Sequence, residues 1–226
     1  MAEFELPYEF PEEVLHFANE IKDGFTADEI NKRRDFRTIT TFTIDPFDAK
    51  DFDDALSFRA LENGNVEVGV HIADVSFYVQ PDSIVDKEAQ RRATSVYLVD
   101  RTIPMLPERL SNELCSLRPN EDKMTFSAVF EMDVSGNIQN EWFGRTIIHS
   151  DRRFTYEEAQ AIIEGGEGDF KNEILTLNGL ARKLRKKRFD EGSIDFSSEE
   201  VKFKLDDKGQ PEGVYIKVMK ESNQLI

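Results

Sequence analysis

The sequence predicts an α+β fold, in which a mixed and largely antiparallel sheet is packed against helices. Short segments rich in β-branched and aromatic residues are joined by tight turns, which is typical of antiparallel hairpins. Helical segments lie among these hairpins in no regular alternation, which disfavours a doubly wound parallel sheet. The 226 residues contain no internal repeat and no low-complexity tract, and their length suffices for one substantial domain.

The first half of the chain is predicted to contain strands bounded by helices. Pro11 near a first turn, with apolar residues following on one side, predicts the first helix. The turn at Asn63-Gly64-Asn65 predicts a hairpin. The prolines of 101–107 exclude a regular element there, because proline removes a backbone donor and constrains its neighbour. In order, the predicted elements are a helix over 11–21, strands over 38–44, 55–60 and 66–73, and a helix over 83–93.

The second half is predicted to continue this mixture of hairpins and helices. Thr155 and Glu158 form a capping-box pattern, which indicates the start of a helix. Another helix is predicted to begin at residue 221, with Ser222 as its cap. The other predicted elements are strands over 127–134 and 138–148, helices over 155–163 and 171–189, and two strands around the turn at 206–209.

Composition and charge limit the classes of function. Lys and Arg number 29 against 45 Asp and Glu, and the formal net charge of −16 argues against a nonspecific polyanion-binding surface. The cation-rich segment 182–188 is still compatible with a local groove that binds a polyanion. No apolar run approaches the ~20 residues that a membrane-spanning helix needs. With an acidic N-terminus and a single cysteine, Cys115, these features predict a cytoplasmic protein without a membrane association.

Four aspartates crowd into one short segment and form the most informative motif: Asp45, Asp51, Asp53 and Asp54. Such a cluster repels itself and raises its own pKa values unless a cation balances it. Carboxylate oxygens favour Mg²⁺ or Mn²⁺, which keep water ligands and take further oxygens from a phosphate. Because side chains alternate along an extended chain, Asp53 and Asp54 would face opposite sides. Convergence of all four therefore requires an irregular loop.

Two plainer interpretations of this segment are a solvated acidic loop and a calcium-binding loop. Apolar residues such as Ile44, Phe47 and Phe52 lie among the acids, which indicates that part of the segment is buried. A calcium loop would place a glycine at its central turn and a glutamate at its end, and this segment has neither. The segment is therefore interpreted as a candidate site for a hard divalent cation.

The segment Asp45-Pro46-Phe47-Asp48-Ala49-Lys50-Asp51-Phe52-Asp53-Asp54-Ala55 resembles the signature of the RNB catalytic domain of the ribonuclease II and ribonuclease R family. Further motifs follow in the order of that family and cover almost the whole chain. Their residues are most similar to those of bacterial ribonuclease R. The other matching motifs are His71-Ile72-Ala73-Asp74-Val75, Tyr97, Ile103-Pro104-Met105-Leu106-Pro107 and Leu110-Ser111-Asn112-Glu113-Leu114-Cys115-Ser116-Leu117.

The resemblance implies an exoribonuclease that degrades single-stranded RNA processively from its 3′ end and releases nucleoside 5′-monophosphates. It implies Mg²⁺ as the cofactor, with Mn²⁺ as the alternative ion. Two metal ions suit this hydrolysis, because they clamp the scissile phosphate and stabilise the leaving oxygen. By position, the resemblance makes Asp53 the catalytic aspartate and assigns the metal ligands to Asp45, Asp51, Asp53 and Asp54.

The resemblance also assigns three aromatic residues to substrate binding. Tyr97 matches a tyrosine that stacks on the terminal nucleotide, and Phe196 resembles the aromatic residue at the far end of the stacked bases. Tyr156 resembles a tyrosine involved in preferring ribose to deoxyribose. Stacking suits a processive enzyme, because every base offers a face worth ~1–3 kcal/mol. Without the resemblance, each of the three would be interpreted as a core residue.

The resemblance places the N-terminal portion of the RNB domain at 38–226, after a lead-in or linker at 1–37. We expect the domain to continue beyond Ile226, with flanking OB-fold RNA-binding domains in a monomeric full-length protein. An arginine that stabilises the developing phosphate charge would lie in the continuation, so this chain alone is expected to be weakly active or inactive. The alternatives are a non-catalytic RNA-binding or scaffold module, and a structural domain that binds a cation.

Overall fold

In a computed structural model of the chain, the described residues are 7–99, 101–194, 200–206 and 210–225. They form two compact units. The larger unit comprises the described residues of Gly24–Asp74, Cys115–Asp195 and Lys220–Ile226, and the smaller unit those of Met1–Asp23, Val75–Leu114 and Phe196–Met219. Among the described helices, none is both long enough and apolar enough to cross a membrane.

Helices and strands follow one another in a mixed order. The helices are α1 (Glu12–Glu20), α2 (Ala27–Asn31), α3 (Val75–Tyr78), α4 (Ile84–Arg92), α5 (Tyr156–Ile163) and α6 (Lys171–Asp190). The strands are β1 (Arg34–Asp35), β2 (Thr40–Asp45), β3 (Asp54–Ala60), β4 (Val66–Ala73), β5 (Val96–Tyr97), β6 (Thr102–Ile103), β7 (Glu121–Met132), β8 (Ile138–Ser150), β9 (Arg152–Thr155), β10 (Glu200–Leu205) and β11 (Pro211–Lys217). A π-helical segment spans Arg109–Leu114, and a 3₁₀ turn spans Glu221–Gln224.

The larger unit is built on a seven-stranded sheet with the order β1-β8-β7-β4-β3-β2-β9. The five central strands are antiparallel, whereas β1 pairs in parallel with β8, and β9 pairs in parallel with β2. The predicted mixed and largely antiparallel sheet is therefore confirmed. The sequence did not predict either parallel edge strand, because both are short and β9 is separated from β8 by Asp151 alone.

One face of this sheet carries the hydrophobic core. Phe42 of β2 and Phe154 of β9 are buried and meet edge to face, with ring centroids 5.4 Å apart. Helices α5 and α6 contribute residues such as Ile162 to the same core. The predicted capping box is confirmed at the start of α5, where the Thr155 hydroxyl accepts from the Glu158 amide and the Glu158 carboxylate accepts from the Thr155 amide. The core and the cap together fix where β9 ends and α5 begins.

The opposite face of the sheet is polar at its centre. His71 of β4 is fully buried, and its ring nitrogens lie 2.6 Å from Ser127 Oγ of β7 and 2.8 Å from Ser57 Oγ of β3. Ser127 Oγ in turn lies 2.5 Å from Thr146 Oγ1 of β8. A Cβ atom at Gly69 would lie 2.4 Å from Ser57 Oγ, so this close approach requires glycine. These contacts satisfy both ring nitrogens of the buried imidazole, as expected of a structural histidine.

In the smaller unit, the buried Arg92 at the end of α4 joins three segments. Its guanidinium donates to the Glu9 carbonyl at 2.7 Å and to the Pro104 carbonyl at 3.2 Å, and it pairs with Glu88 at 2.9 Å. The guanidinium carbon also lies 3.5 Å from the centroid of the Phe10 ring. These contacts fasten the first described residues to α4 and to the segment after β6. The hairpin of β10 and β11 belongs to the same unit.

Most of the predicted helices and strands are confirmed, with shifted ends. The hairpin of β7 and β8 is longer than predicted, and the irregular segment 101–107 includes the two residues of β6. The prediction for Ser222 is wrong, because this residue lies within the 3₁₀ turn and does not cap it. Ser222 is buried, and its amide donates to Gln160 Oε1 of α5 at 3.1 Å. The Ser222 backbone, not its hydroxyl, therefore attaches the end of the chain to α5.

Candidate functional site

The candidate site lies where β2 passes into β3 through residues 46–53, here called the acidic loop. Asp45 ends β2 and Asp54 begins β3. The two strands pair with each other only as far as Phe42 and Leu56, so they part before they reach these aspartates. Each aspartate remains fixed by its other neighbouring strand, β9 for Asp45 and β4 for Asp54. The irregular loop that convergence of the carboxylates requires is therefore present.

Asp45 is the most buried of the four aspartates, with 7% of its surface exposed. Its Oδ2 atom is buried and has no hydrogen-bond partner among the described residues. Burial raises the pKa of Asp45 to about 6; the nearby charges of Asp54 and Asp53 also raise it, and Arg153 opposes them. A buried carboxylate with an unused oxygen and a raised pKa is suited to a cation.

Asp53 and Asp54 share this environment. The Asp53 side chain reaches solvent, but the protein atoms around it partly desolvate its carboxylate and so raise its pKa. The charges of Asp51 and Asp54 raise this pKa further. Burial likewise raises the pKa of Asp54, which is half-buried. The acidic loop and the strand ends that flank it thus carry mutually repelling carboxylates in a partly desolvated setting.

The oxygen donors of this cluster fit a hard divalent cation, but they do not form a closed coordination shell. Within the described residues, no group of three or more His, Cys, Asp or Glu side chains is arranged to hold an ion. The structure brings Asp45, Asp53 and Asp54 within electrostatic reach of one another, with Asp51 beside Asp53. Mg²⁺ commonly takes one or two carboxylates and completes its shell with water and substrate phosphates. The arrangement suits such an open site, and the four ligand roles stay predictions.

Arg153 of β9 holds the near side of the acidic loop. Its Nη2 atom donates to the Pro46 carbonyl and, at 3.0 Å, to the Phe47 carbonyl. Its guanidinium carbon lies 5.4 Å from the centroid of the Phe52 ring. Sequence reasoning missed this residue, because its role depends on the non-local pairing of β9 with β2. The only signal in the sequence is the adjacent cation pair Arg152-Arg153.

The far side of the acidic loop is held by the segment that precedes β7. The buried Ser116 hydroxyl accepts from the Phe52 amide at 3.0 Å and donates to the Lys50 carbonyl at 3.3 Å. The Leu117 amide donates to the Phe52 carbonyl at 2.8 Å. The prediction that part of this segment is buried is confirmed, since Ile44 is buried, whereas Phe47 is 81% exposed. Phe47 lies at the outer turn of the loop, where it packs on no core.

Tyr156 is the first residue of α5 and lies close to the carboxylates. Burial raises the pKa of its phenol, and the charges of Asp45 and Asp54 raise it further. The strand register explains this position, because Asp45 pairs with Thr155, the residue before Tyr156. The structure therefore brings Tyr156 together with the aspartates. Its contact with the ribose stays a prediction.

The other two predicted substrate-binding residues are Tyr97 and Phe196. Tyr97 belongs to β5 of the smaller unit and is 69% exposed, so it is not a core residue. This exposure is compatible with stacking on a base, and that role of Tyr97 stays a prediction. Phe196 lies outside the described residues.

Comparison with known proteins identifies relatives along almost the whole chain. The RNB domain family matches residues 33–226. DIS3-like exonuclease 2 of Schizosaccharomyces pombe is 45% identical over 233 residues, covering 96% of this chain and 25% of that protein. Ribonuclease R 1 of Lactococcus lactis is 43% identical over 220 residues, covering 93% of this chain and 27% of that protein.

A solved structure, Mycoplasma genitalium RNase R in complex with ribose methylated single-stranded RNA, superimposes with a TM-score of 0.90. Its sequence identity to this chain is 28%, and the match covers 97% of this chain and 35% of that one. The present chain thus spans about a quarter of the length of the curated relatives it matches. The chain belongs to the RNB domain family, as its fold, the position of its acidic loop and these matches show.

Proposed function

We propose that this chain carries the acidic half of the active site of a 3′→5′ exoribonuclease that hydrolyses single-stranded RNA. The observation that carries the proposal is Asp45, whose buried Oδ2 atom is unpartnered among the described residues and lies beside the charges of Asp54 and Asp53. Membership of the RNB domain family supports it, since the relatives are named as an exonuclease and a ribonuclease.

Mg²⁺ is the proposed cofactor, with Mn²⁺ as the alternative ion, because hard cations prefer a carboxylate set that leaves room for water and phosphate. Ribonucleases of such families generally depend on divalent metal ions. Asp45 and Asp54 would hold an ion most directly, and Asp51 and Asp53 would hold its waters or a second ion. When bound, such ions supply an activated water and stabilise the leaving 3′ oxygen. Their charge would also let a chain of net charge −16 approach RNA.

The aromatic residues would orient the RNA. Tyr156 lies near Asp45 and Asp54, which supports a contact between its phenol and the ribose of the nucleotide that is released. The exposed Tyr97 would stack on a base near the 3′ end, and Phe196 on a base farther along. Stacking reads no sequence, which is what repeated release of nucleoside 5′-monophosphates requires.

Further features of the proposal concern the whole protein and rest on the family resemblance. They are flanking OB-fold domains, a monomeric state, a cytoplasmic location and a continuation of the RNB domain that completes the site. On this basis, the present chain alone would bind an ion but degrade RNA weakly or not at all.

The test uses the full-length protein that contains this chain and two single-stranded RNAs, one labelled at its 5′ end and one at its 3′-terminal nucleotide. We expect Mg²⁺-dependent release of mononucleotides from the 3′ end, abolished by EDTA. Asp53→Asn should abolish degradation and leave RNA binding intact, whereas Asp48→Asn in the same loop, at an exposed position, should leave degradation unchanged. Equal degradation by Asp53→Asn and wild type would contradict the assignment.

The second candidate function is a non-catalytic RNA-binding or scaffold module. The observation that favours it is the absence, within the described residues, of three side chains converging on one ion position. It predicts that the full-length wild type binds RNA without degrading it in either Mg²⁺ or Mn²⁺. Metal-dependent release of mononucleotides would eliminate this candidate.

A further inference from the structure

We propose that Arg153 is a positioning residue that holds the acidic loop in the conformation that accepts a divalent cation. This inference rests on the proposed function, because it concerns the same carboxylates. Arg153 itself contacts backbone carbonyls and an aromatic ring, so it would act through the loop and not on the reacting atoms.

The contacts of Arg153 reach both ends of the acidic loop. At the start of the loop, Nη2 donates to the carbonyls of Pro46 and Phe47. At the other end, the guanidinium lies against the ring of Phe52, which directly precedes Asp53. One side chain therefore spans the segment between the end of β2 and the last residues before β3. Without the Arg153 side chain, the loop would keep its turn at Pro46 and its hydrogen bond to Ser116. It would lose the contacts that Arg153 of β9 makes with it.

The geometry requires arginine and not merely a positive charge. Two carbonyls accept from one guanidinium nitrogen while the plane of the same group faces an aromatic ring. A planar guanidinium satisfies these contacts together, whereas a lysine ammonium is a compact charge on a flexible stem. Substitution by lysine thus keeps the positive charge but removes the planar group that donates to both carbonyls and faces the ring.

The charge of Arg153 opposes cation binding. The alternative to positioning is therefore that Arg153 mainly weakens metal binding by repulsion. A guanidinium near the acidic cluster repels a divalent ion. If this repulsion dominated, a neutral residue at position 153 would bind the metal more tightly than arginine does. If positioning dominates, the neutral residue and lysine both bind the metal more weakly.

Arg152 provides a matched control on the same strand. Side chains alternate along β9, so Arg152 lies on the opposite face of the sheet from Arg153. Arg152 pairs with Asp169 at 2.6 Å and with Glu158 at 3.3 Å. Its guanidinium carbon lies 4.6 Å from the Phe154 ring centroid. Arg152 is thus an arginine whose ion pairs and ring contact described here all lie outside the acidic loop.

The experiment measures Mn²⁺ binding by electron paramagnetic resonance in the full-length protein, together with the Mg²⁺ dependence of RNA degradation. The variants are Arg153→Gln, Arg153→Lys, Arg152→Gln and Arg152→Lys. Removal of groups that orient metal ligands typically weakens metal affinity by ~10–100-fold. We expect both Arg153 variants to raise the Kd for Mn²⁺ by about 10-fold. We expect both Arg152 variants to stay near wild type, and saturating Mg²⁺ to restore most of kcat in the Arg153 variants.

Wild-type affinity in Arg153→Lys, or tighter binding in Arg153→Gln, would overturn the positioning role. Should Arg153→Gln fail to fold, Ser116→Ala provides a second variant, because it loosens the far side of the same loop and should weaken Mn²⁺ binding in the same direction. Unchanged Mn²⁺ affinity in Ser116→Ala would then count against the proposal. Wild-type Mn²⁺ binding without RNA degradation would reject the proposed function and not this inference.

Discussion

Asp45 and Thr155 are register partners on the parallel strands β2 and β9. Thr155 is also the N-cap of α5, so the pairing that fixes the Asp45 carboxylate also fixes Tyr156, the first residue of the helix. Burial, followed by the charges of Asp45 and Asp54, raises the pKa of the Tyr156 phenol. One strand pairing thus sets the distance between the acidic cluster and the predicted ribose contact.

Thr155→Ala tests this coupling, because it removes the hydroxyl that caps α5. We expect the free energy of unfolding to fall by about 1 kcal/mol, the usual cost of a lost N-cap. We also expect a smaller preference for RNA over a substrate with a 3′-terminal deoxyribose. Thr26→Ala is the control, since the Thr26 hydroxyl caps α2 by accepting from the Glu29 amide at 3.2 Å. An equal change of preference in both variants would contradict the coupling.

Asp45→Asn should stabilise the protein in metal-free buffer. Because the pKa of Asp45 is raised to about 6 from 3.8, the folded state favours the neutral acid, and ionisation costs stability as pH rises through 6. We expect the variant to gain about 3 kcal/mol in free energy of unfolding above pH 7 and to lose that advantage below pH 4. The control is Asp48→Asn, at an exposed position of the same loop. Urea unfolding across this pH range measures the difference.

The same variant should respond less to metal. On the proposed function, bound Mg²⁺ would relieve the repulsion in the wild type, so it should raise the Tm of the wild type more than that of Asp45→Asn. A gain in stability that is constant with pH, or an equal response to Mg²⁺, would show that Asp45 ionisation is not the cause.

Tyr97→Ala should weaken RNA binding by about 1–3 kcal/mol, because the exposed ring of Tyr97 would lose its stacking on a base. Tyr97→Phe should retain most of the affinity, since the ring and not the hydroxyl would make the proposed contact. Tyr215→Ala, at a tyrosine of β11 that is 54% exposed, is the control. Fluorescence anisotropy with a short single-stranded RNA measures the affinities. Equal losses in Tyr97→Ala and Tyr215→Ala would indicate a nonspecific effect.

His71 should give the stability a dependence on pH. Burial, and then the charge of Arg34, lowers the pKa of His71 from 6.5 to about 3, so the folded state holds the neutral imidazole. Between these values the unfolded state binds one more proton, and stability should fall as pH falls, by at most about 1.4 kcal/mol per pH unit. His71→Gln should remove this component of the slope, whatever its effect on stability at pH 7.

The control for His71 is His149→Gln, because His149 is only partly buried and lies 2.8 Å from Asp122. Unfolding by urea at several pH values between 4 and 7 gives the slopes. We expect the slope of the control to stay closer to that of the wild type. A wild-type slope in His71→Gln would show that the buried imidazole does not set the pH dependence.

Local signals predicted much of this fold. The capping box at Thr155 and the hairpin turn at Asn63-Gly64-Asn65 depend on residues close in sequence, and both are present. The acidic loop was also predictable, because the aspartates within and beside it are close in sequence and side-chain alternation explains why their convergence needs an irregular segment. Ser222 was misassigned because the buried amide contact with Gln160, and not a local cap, decides its position.

The parts of the site that the sequence did not predict depend on non-local pairing. Strand β9 has four residues, two of them arginine, and no alternating apolar pattern. Only its register with β2 places Arg153 against the acidic loop and Tyr156 near Asp45. The exposure of Phe47 was equally hidden, because an aromatic residue among acids is usually taken as partly buried.

The two ends of the seven-stranded sheet carry the short strands β1 and β9, which contain Arg34, Arg152 and Arg153. An edge strand exposes unpaired backbone amides and carbonyls that can pair with a strand of another chain. Short edge strands with cationic side chains disfavour such pairing. Arg153, which borders the candidate site, is therefore also one of the cationic residues that disfavour edge-to-edge association of the sheet.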